Sequence, residues 1–359
     1  MPGQTPMHVV VLAGGAGTRL WPISRRSRPK QFHPLVSGQT LLQETYARVR
    51  PLSSPEHVWV VTGAEFVATV REQLPEVPSE NVLGEPVGRN TAPAAALAVA
   101  RIARAEPEGV VLMTPADSYV RDPAAYYEYV GLAAEVAASN VIVTLGIVPS
   151  SPDTGFGYIQ RGARLEKPVT WAYRVERFTE KPDAATAARY VADGGYYWNM
   201  GHFIFRAGVF MESCAEHLPE VAAAARKLAA TGNLSGELIA EIYRGLPSIS
   251  IDHGIAEKEK DLVVIPTALE WSDVGSWAAV KNIAARHGQP ESESANHVSV
   301  GSKDCLVLST SGRLVVTVGV EGYVIVDTPD ALLVVREDKA QEVGEALEEI
   351  EKRGKQGYL

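Results

Sequence analysis

The sequence predicts an α/β fold: a mainly parallel (mixed) sheet with helices on both faces, followed by a small C-terminal all-β domain. Three observations carry this. Short apolar runs alternate with helix-period segments in the first half. The apolar pattern breaks off near residue 290. Beyond that point, runs rich in valine, leucine and isoleucine are separated only by turn residues. A helix between two strands returns the chain to start the next strand in the same direction, so strand–helix alternation implies parallel neighbours.

Val9-Val10-Val11-Leu12 makes His8–Leu12 a buried first strand, and His57–Thr62, Gly109–Thr114 and Val141–Ile147 read as further strands. Between them Leu41–Val49, Ala64–Gln73, Thr91–Ala105 and Ala124–Ala138 read as helices. The helix at Thr91 has Asn90 or Thr91 as its cap and Pro93 in its first turn, where a missing N–H costs little. From Gly155 to about Gly288 the pattern is mixed, with strands at Trp171–Thr179 and Gly201–Phe205. Helices are expected there at Asp183–Ala192, Ala207–Glu216 and Gly275–Arg286. No linker precedes this region, so it joins the first domain.

Gly288-Gln289-Pro290-Glu291-Ser292-Glu293-Ser294 is polar and aperiodic, which divides the chain into domains 1–290 and 291–359. The second domain carries the short strands Leu306–Leu308, Leu314–Val318, Tyr323–Val326 and Leu332–Val335. Its tail, Asp338–Arg353, is charged and helical. No internal repeat stands out.

The chain has 359 residues, 46% of them hydrophobic and 21% charged, with a net charge of −9. That balance suits a globular protein and argues against a nucleic-acid groove. Cys214 and Cys305 lack metal spacing and indicate a reducing, cytoplasmic setting. Met1–Pro6 does not open a signal peptide, and no apolar run approaches the roughly 20 residues of a membrane span.

The most informative motif follows the first strand: Leu12-Ala13-Gly14-Gly15-Ala16-Gly17-Thr18-Arg19-Leu20-Trp21-Pro22, then Pro29-Lys30. Glycines at a strand end let backbone N–H groups approach an anion, and Arg19 and Lys30 add charge. No Gly-Lys-Ser/Thr follows, which excludes a kinase-type loop. Leu20 stands where a dinucleotide fingerprint needs its third glycine. The complete pattern resembles the signature of the sugar-nucleotide pyrophosphorylases. The resemblance implies that Gly14, Gly15, Gly17, Thr18 and Arg19 lie over the triphosphate of an NTP.

A second motif, Gly84-Glu85-Pro86-Val87-Gly88-Arg89-Asn90-Thr91-Ala92-Pro93, runs into a helix start. Asn90 and Thr91 suit capping. Glu85, the only acid in the loop, suits a base site. Guanine offers two adjacent donors, and a carboxylate accepts from both. The motif resembles that of the mannose-1-phosphate guanylyltransferases, which places Glu85, Asn90 and Thr91 at the nucleotide.

In Met113-Thr114-Pro115-Ala116-Asp117-Ser118, an acid follows a strand. On its own Asp117 reads equally as a magnesium ligand or as a cap or turn residue. The resemblance makes it a metal ligand, with Ser118 where the family carries histidine. Trp271-Ser272-Asp273-Val274-Gly275-Ser276-Trp277 supplies the family's second metal ligand, Asp273, which also suits a helix cap. Ser250-Ile251-Asp252-His253-Gly254-Ile255-Ala256 reads as mostly structural. His253 reads as a packed or surface residue.

Three further motifs are Gly155-Phe156-Gly157-Tyr158-Ile159, Phe178-Thr179-Glu180-Lys181-Pro182 and Tyr197-Trp198-Asn199-Met200-Gly201, the last expected just before a strand. By resemblance the Gly157 backbone, Glu180 and Asn199 hold the sugar and Lys181 its phosphate.

The resemblance spans the whole chain. It implies a Rossmann-like nucleotidyltransferase domain followed by a short left-handed β-helix. It implies GMP transfer from GTP to α-D-mannose 1-phosphate, by in-line attack of the sugar phosphate on the α-phosphorus. Arg19, Lys30, Asp117 and Asp273 are the expected catalytic residues, with Mg²⁺ on the two aspartates. The expected partners are these substrates and a second copy in a homodimer, with no nucleic acid or membrane. A uridylyl- or thymidylyltransferase acting on glucose 1-phosphate is the nearest rival, and Glu85 with the Gly88–Ala92 run argues against it. A non-catalytic sensor of GDP-mannose would not need both aspartates and both loop cations.

Overall fold

The computed structural model describes residues 7–15, 17–231, 237–286 and 296–359. The expected domain boundary at Gly288–Ser294, the N-terminal Met1–Pro6 and Ala16 of the glycine loop lie outside them. The chain forms two compact units. The larger comprises the described residues of Met1–Gly14, Tyr46–Ala116 and Val120–Trp271; the smaller comprises those of Gly15–Thr45, Asp117–Tyr119 and Ser272–Leu359.

The strands are β1 (His8–Ala13), β2 (Val58–Gly63), β3 (Val82–Glu85), β4 (Val110–Pro115), β5 (Tyr119–Val120), β6 (Ile142–Ile147), β7 (Tyr158–Arg164), β8 (Tyr173–Thr179), β9 (Tyr196–Arg206), β10 (Leu262–Thr267) and β11 (Trp271–Ser272). The short β5 and β11 pair with each other. The other nine form one sheet within the larger unit, in the order β3-β2-β1-β4-β9-β6-β10-β8-β7. β3, β2, β1 and β4 are mutually parallel, and β6 and β10 form a second parallel pair. β9 runs antiparallel between β4 and β6, which makes the sheet mixed.

The helices are α1 (Leu41–Val49), α2 (Val67–Gln73), α3 (Thr91–Ala105), α4 (Pro123–Ala137), α5 (Ala184–Asp193), α6 (Ala207–His217), α7 (Pro219–Ala230), α8 (Glu237–Arg244), α9 (Trp277–Arg286) and α10 (Val343–Lys352). Alternate residues of a strand face opposite sides. Val10, Val111, Met113, Phe203 and Phe205 pack in one cluster with α3, α6 and α7. Val9, Val11, Leu112 and Ile204, on the other face, are equally inaccessible. Helices therefore cover both faces, which is why these strands read as continuous apolar runs. No helix among the described residues is long and apolar enough to cross a membrane.

Two expectations change. Tyr197–Gly201 does not precede a strand but lies inside β9, the longest strand of the sheet. Glu85 is the last residue of β3 and not part of a following loop. β3, β7 and β10, together with α7 and α8, carried no expectation. β3 has only four residues, and β10 is buried on both faces.

In the smaller unit β12 (His297–Val300), β13 (Leu306–Ser309), β14 (Val315–Val318), β15 (Tyr323–Asp327) and β16 (Leu332–Arg336) follow one another. His297 aligns in parallel with Val315, Lys303 with Glu321 and Leu306 with Val324. Each side of the coil thus stacks on the segment 18 residues before it, the arrangement of a β-helix. β16 turns back antiparallel on β15 and ends the stack. Leu306, Val324, Val326 and Leu333 of this coil share a core with Leu20, Trp21, Leu41, Val274 and Trp277.

Candidate active site

The glycine loop leaves the carboxyl end of β1. Gly15 and Gly17 have φ of +92° and +57°, a region that side chains disfavour. Gly17 has a second reason: a Cβ there would lie 2.6 Å from Cγ of Lys30. Thr18 and Arg19 open a 3₁₀ turn, Thr18–Leu20. The Arg19 guanidinium is exposed and donates to Gln341 Oε1 at 3.1 Å.

Lys30 is buried. Its Nζ donates to the backbone carbonyls of Asp273 at 2.7 Å and Val274 at 3.1 Å, and lies 3.2 Å from Asp117 Oδ2. An ammonium has three N–H donors, and all three meet protein oxygens. Lys30 therefore brings its charge to the site while its hydrogen bonds join the two acidic segments. Val274, directly after Asp273, has φ of +47°, an outlier for a β-branched residue that Lys30 helps to hold. The Gly275 N–H donates to Asp273 Oδ1 at 3.2 Å.

Burial pushes the Asp273 carboxyl above its usual range, the Lys30 ammonium pulls it down and the Asp117 charge pushes it up. Two carboxylates gather beside one buried ammonium, and the exposed Arg19 guanidinium also acts on Asp273. Paired carboxylates are hard oxygen donors and suit a divalent cation such as magnesium. Ser118, beside Asp117, is buried.

The remaining site residues lie in the larger unit, in two adjoining groups. Glu85 is only 7% exposed. Tyr243 of α8 meets its carboxylate as a hydrogen-bond partner, and Oε1 has none among the described residues. Burial pushes the Glu85 carboxyl up to about 7. Asn90, with φ of +67°, caps α3 by accepting from the Thr91 N–H at 2.8 Å. Thr91 Oγ1 accepts from the Ile251 N–H at 2.9 Å. Arg89 donates from Nε to the Tyr243 carbonyl at 3.0 Å. The capping reading of Asn90 holds, and Thr91 and Arg89 brace the walls around Glu85.

In the second group, a Cβ on Gly157 would lie 2.5 Å from Glu180 Oε2, so a larger residue there would push that carboxylate aside. The Gly157 carbonyl accepts from the Asn199 N–H at 2.8 Å. Asn199 Oδ1 accepts from the Gly201 N–H at 3.1 Å and lies 3.0 Å from Thr144 Oγ1. Its Nδ2 donates to Asp252 Oδ1 at 2.9 Å, leaving one amide N–H for a ligand. Lys181 Nζ is 3.2 Å from Glu180 Oε1, with the lysine exposed and the glutamate nearly buried. β8 ends at Thr179, as expected from the sequence. Lys181 itself takes φ of +46°, not the extended conformation that a following proline favours.

Asp252 is a site residue that sequence reading does not single out. It opens a π-helical turn, Asp252–Ala256, a local irregularity frequent at functional sites. Burial, then the Glu180 charge, pushes its carboxyl up to about 6. Ile251 and Asp252 are adjacent, so the Thr91–Ile251 and Asp252–Asn199 bonds link the two groups through one backbone segment. The only sequence sign is an acid beside apolar residues and a glycine. His253 is exposed and hydrogen-bonds Ser250 Oγ through Nδ1 at 3.0 Å, as a surface residue would.

Residues 8–289 match the family described as Nucleotidyl transferase, and residues 295–350 match the MannoseP isomerase/GMP-like beta-helix domain. The chain is 41% identical to the xanthan biosynthesis protein XanB of Xanthomonas campestris pv. campestris (strain B100), over 96% of this chain and 73% of that protein. It is 37% identical to a mannose-1-phosphate guanylyltransferase of Escherichia coli, over 97% of this chain and 75% of that protein. A crystal structure described as mannose-1-phosphate geranyltransferase from Thermus thermophilus superposes with a TM-score of 0.85 at 37% identity, covering 97% of this chain and 100% of that one. The chain belongs to the nucleotidyl transferase family, among the mannose-1-phosphate guanylyltransferases.

Proposed function

We propose that this protein transfers GMP from GTP to α-D-mannose 1-phosphate, releasing pyrophosphate and GDP-mannose. The observation that carries the choice of base is Glu85: a buried carboxylate whose Oε1 has no partner among the described residues. Guanine N1–H and the exocyclic amine would complete its hydrogen bonding. Adenine and uracil each offer a mismatched acceptor at that edge.

Enzymes of this family use a divalent metal, and we assign Mg²⁺ to Asp117 and Asp273. Bound there, the ion would supply positive charge against the repulsion between two phosphorylated substrates. Lys30 holds both acidic segments and adds its own charge. Arg19 is exposed and its hydrogen bond to Gln341 is a surface one, so it can turn to the triphosphate over Gly14, Gly15, Gly17 and Thr18. Gly157, Glu180 and Asn199 hold the sugar, with Asp252 orienting the Asn199 amide. Lys181 receives the sugar phosphate. That phosphate is already an anion, so no general base is required. An oxygen of it attacks the α-phosphorus, and pyrophosphate leaves from the opposite side.

We also propose the division at 1–290 and 291–359, which agrees with the ranges of the two family matches. Both cysteines are free and the proposed substrate is GTP, which fits a cytoplasmic enzyme. The expected homodimer is read by analytical ultracentrifugation. The decisive experiment is pyrophosphate release across GTP, ATP, UTP and dTTP with mannose 1-phosphate or glucose 1-phosphate. GTP with mannose 1-phosphate should lead. A lead by UTP or dTTP with glucose 1-phosphate would overturn the assignment.

A further inference from the structure

At the opposite end of the sheet a second polar cluster plays no part in this reaction. In parallel β1 and β2, Val9 aligns with Val58. The residues one place earlier, His8 and His57, therefore stand side by side. Their rings meet edge to face with centroids 4.8 Å apart. Glu106 follows the last turn of α3, in the tight turn that leads to β4, and its Oε2 lies 3.1 Å from His8 Nε2. One donor atom from each of the three residues falls within 4.8 Å of the others. β1 is six residues long, so about 17 Å of strand separates His8 from the start of the glycine loop.

We propose that His8, His57 and Glu106 form a binding site for a late first-row divalent metal ion, of which zinc is the leading member. Two imidazoles and a carboxylate are the donor set of three-ligand zinc sites that keep a position open to water. The 3.1 Å between His8 Nε2 and Glu106 Oε2 is close to the roughly 3.3 Å edge of a tetrahedron with zinc-length bonds. His8 is buried, so its ring is held in place for ligation. Its Nδ1 has no partner among the described residues. The Nε2 proton can pass to Nδ1 without breaking another hydrogen bond. His57 Nδ1 is held by Ser54 Oγ at 2.9 Å, which fixes the ring and leaves Nε2 for the ion, the usual supporting role around a metal. Gly109 leaves room for the His8 ring: a Cβ there would lie 3.2 Å from His8 Cδ2. Glu106 is half-exposed, so an ion has a path from solvent. Bound zinc ties the amino ends of β1 and β2 to the end of α3, and so stabilises the larger unit.

The test is calorimetric titration of the full-length, metal-stripped protein with ZnCl₂ in excess MgCl₂, which occupies the hard carboxylate site. One equivalent should bind with a Kd of order micromolar, and X-ray absorption at the zinc edge should show about two imidazole ligands. His57→Ala and Glu106→Gln should each weaken binding by roughly tenfold or more. Glu106→Gln alters a half-exposed side chain and decides the matter if His57→Ala does not fold. Zinc should also raise Tm in the wild type, and by less in the variants at the same zinc concentration. No binding up to millimolar zinc, unchanged affinity in Glu106→Gln, or an absorption edge without imidazole would each overturn the site.

Discussion

Glu85 is costly to the folded protein for the same reason that it is useful. Its carboxyl is raised from 4.5 to about 7, chiefly by burial. A raised acid holds its proton more tightly in the folded chain than in the unfolded one. Its contribution to stability is therefore present below about pH 4.5 and erodes as pH climbs through 7. The full shift corresponds to an upper bound of roughly 3 kcal/mol. Glu85→Gln should accordingly raise the Tm of the ligand-free protein at about pH 8 and leave it nearly unchanged at about pH 4. The same substitution should lower kcat/KM for GTP by about one to two decades, because the amide turns donors toward guanine's own donors. In the wild type KM for GTP should rise as pH falls from about 8 to about 6, and the variant should lose that dependence. Equal losses for GTP, ATP and UTP would assign Glu85 to the fold. Lys181 poses a different conflict, a left-handed residue directly before proline. Lys181→Gly should relieve strain of order 1 kcal/mol and keep or raise Tm. It should also lower kcat/KM for mannose 1-phosphate by roughly tenfold or more through the lost charge–phosphate contact. Loss of GTP binding with mannose 1-phosphate binding intact would move Lys181 to the nucleotide half.

The turn Ser272–Gly275 and the segment after β4 hold their acids in place through a lysine that belongs to neither. Lys30 spans 243 residues of chain to reach the Asp273 carbonyl. Lys30→Met keeps the length of the side chain but removes three donors and leaves Asp117 and Asp273 facing each other without an intervening cation. Stability should fall by roughly 2–4 kcal/mol, and turnover should fall further than in Arg19→Met. Lys30→Arg should not rescue it, because a planar fork cannot serve three converging acceptors. Asp117→Asn and Asp273→Asn act on the same pair from the other side. Each should abolish most turnover while Tm holds or rises, since the amide removes repulsion along with the charge that binds the cation. Near-normal turnover by either variant at low magnesium removes that aspartate from the metal site.

The glycine loop from Gly15 onward, Asp117, Asp273 and the C-terminal coil belong to one compact unit although they are far apart in the chain. Leu20 and Trp21 share a core with Val324 and Val326, and the Trp277 indole N–H donates to the Trp21 carbonyl at 2.9 Å. A cavity in the coil should therefore loosen the glycine loop. Val324 is fully buried, and Val324→Ala should cost roughly 2 kcal/mol. Hydrogen exchange should speed up in residues 17–33 as well as in β13 and β15. Faster exchange confined to the coil, with the loop unchanged, would show that the two open independently.

Where a residue's own backbone or immediate neighbours set the requirement, that requirement was legible. Gly15 and Gly17 mark left-handed positions, Asn90 marks a cap, and Val9–Leu12 marks a strand buried on both faces. These led to the parallel half of the sheet, the turn of the glycine loop and the family. The rest was decided by partners that no local pattern announces. Asn199 faces Asp252 across 53 residues, and this pairing brings Asp252 into the candidate site. β9 absorbed a motif expected to lie outside it because β6 and β7 both pair with it there, β6 at Trp198 and Asn199 and β7 at Tyr197 and Trp198. The 18-residue coil keeps its geometry without repeating residues, since a parallel stack needs only some apolar side chain at each inward position. His8 and His57 look unrelated until strand register aligns them. In each case the deciding quantity is a distance between residues remote in the chain, and that is set by how the strands pair and the helices pack.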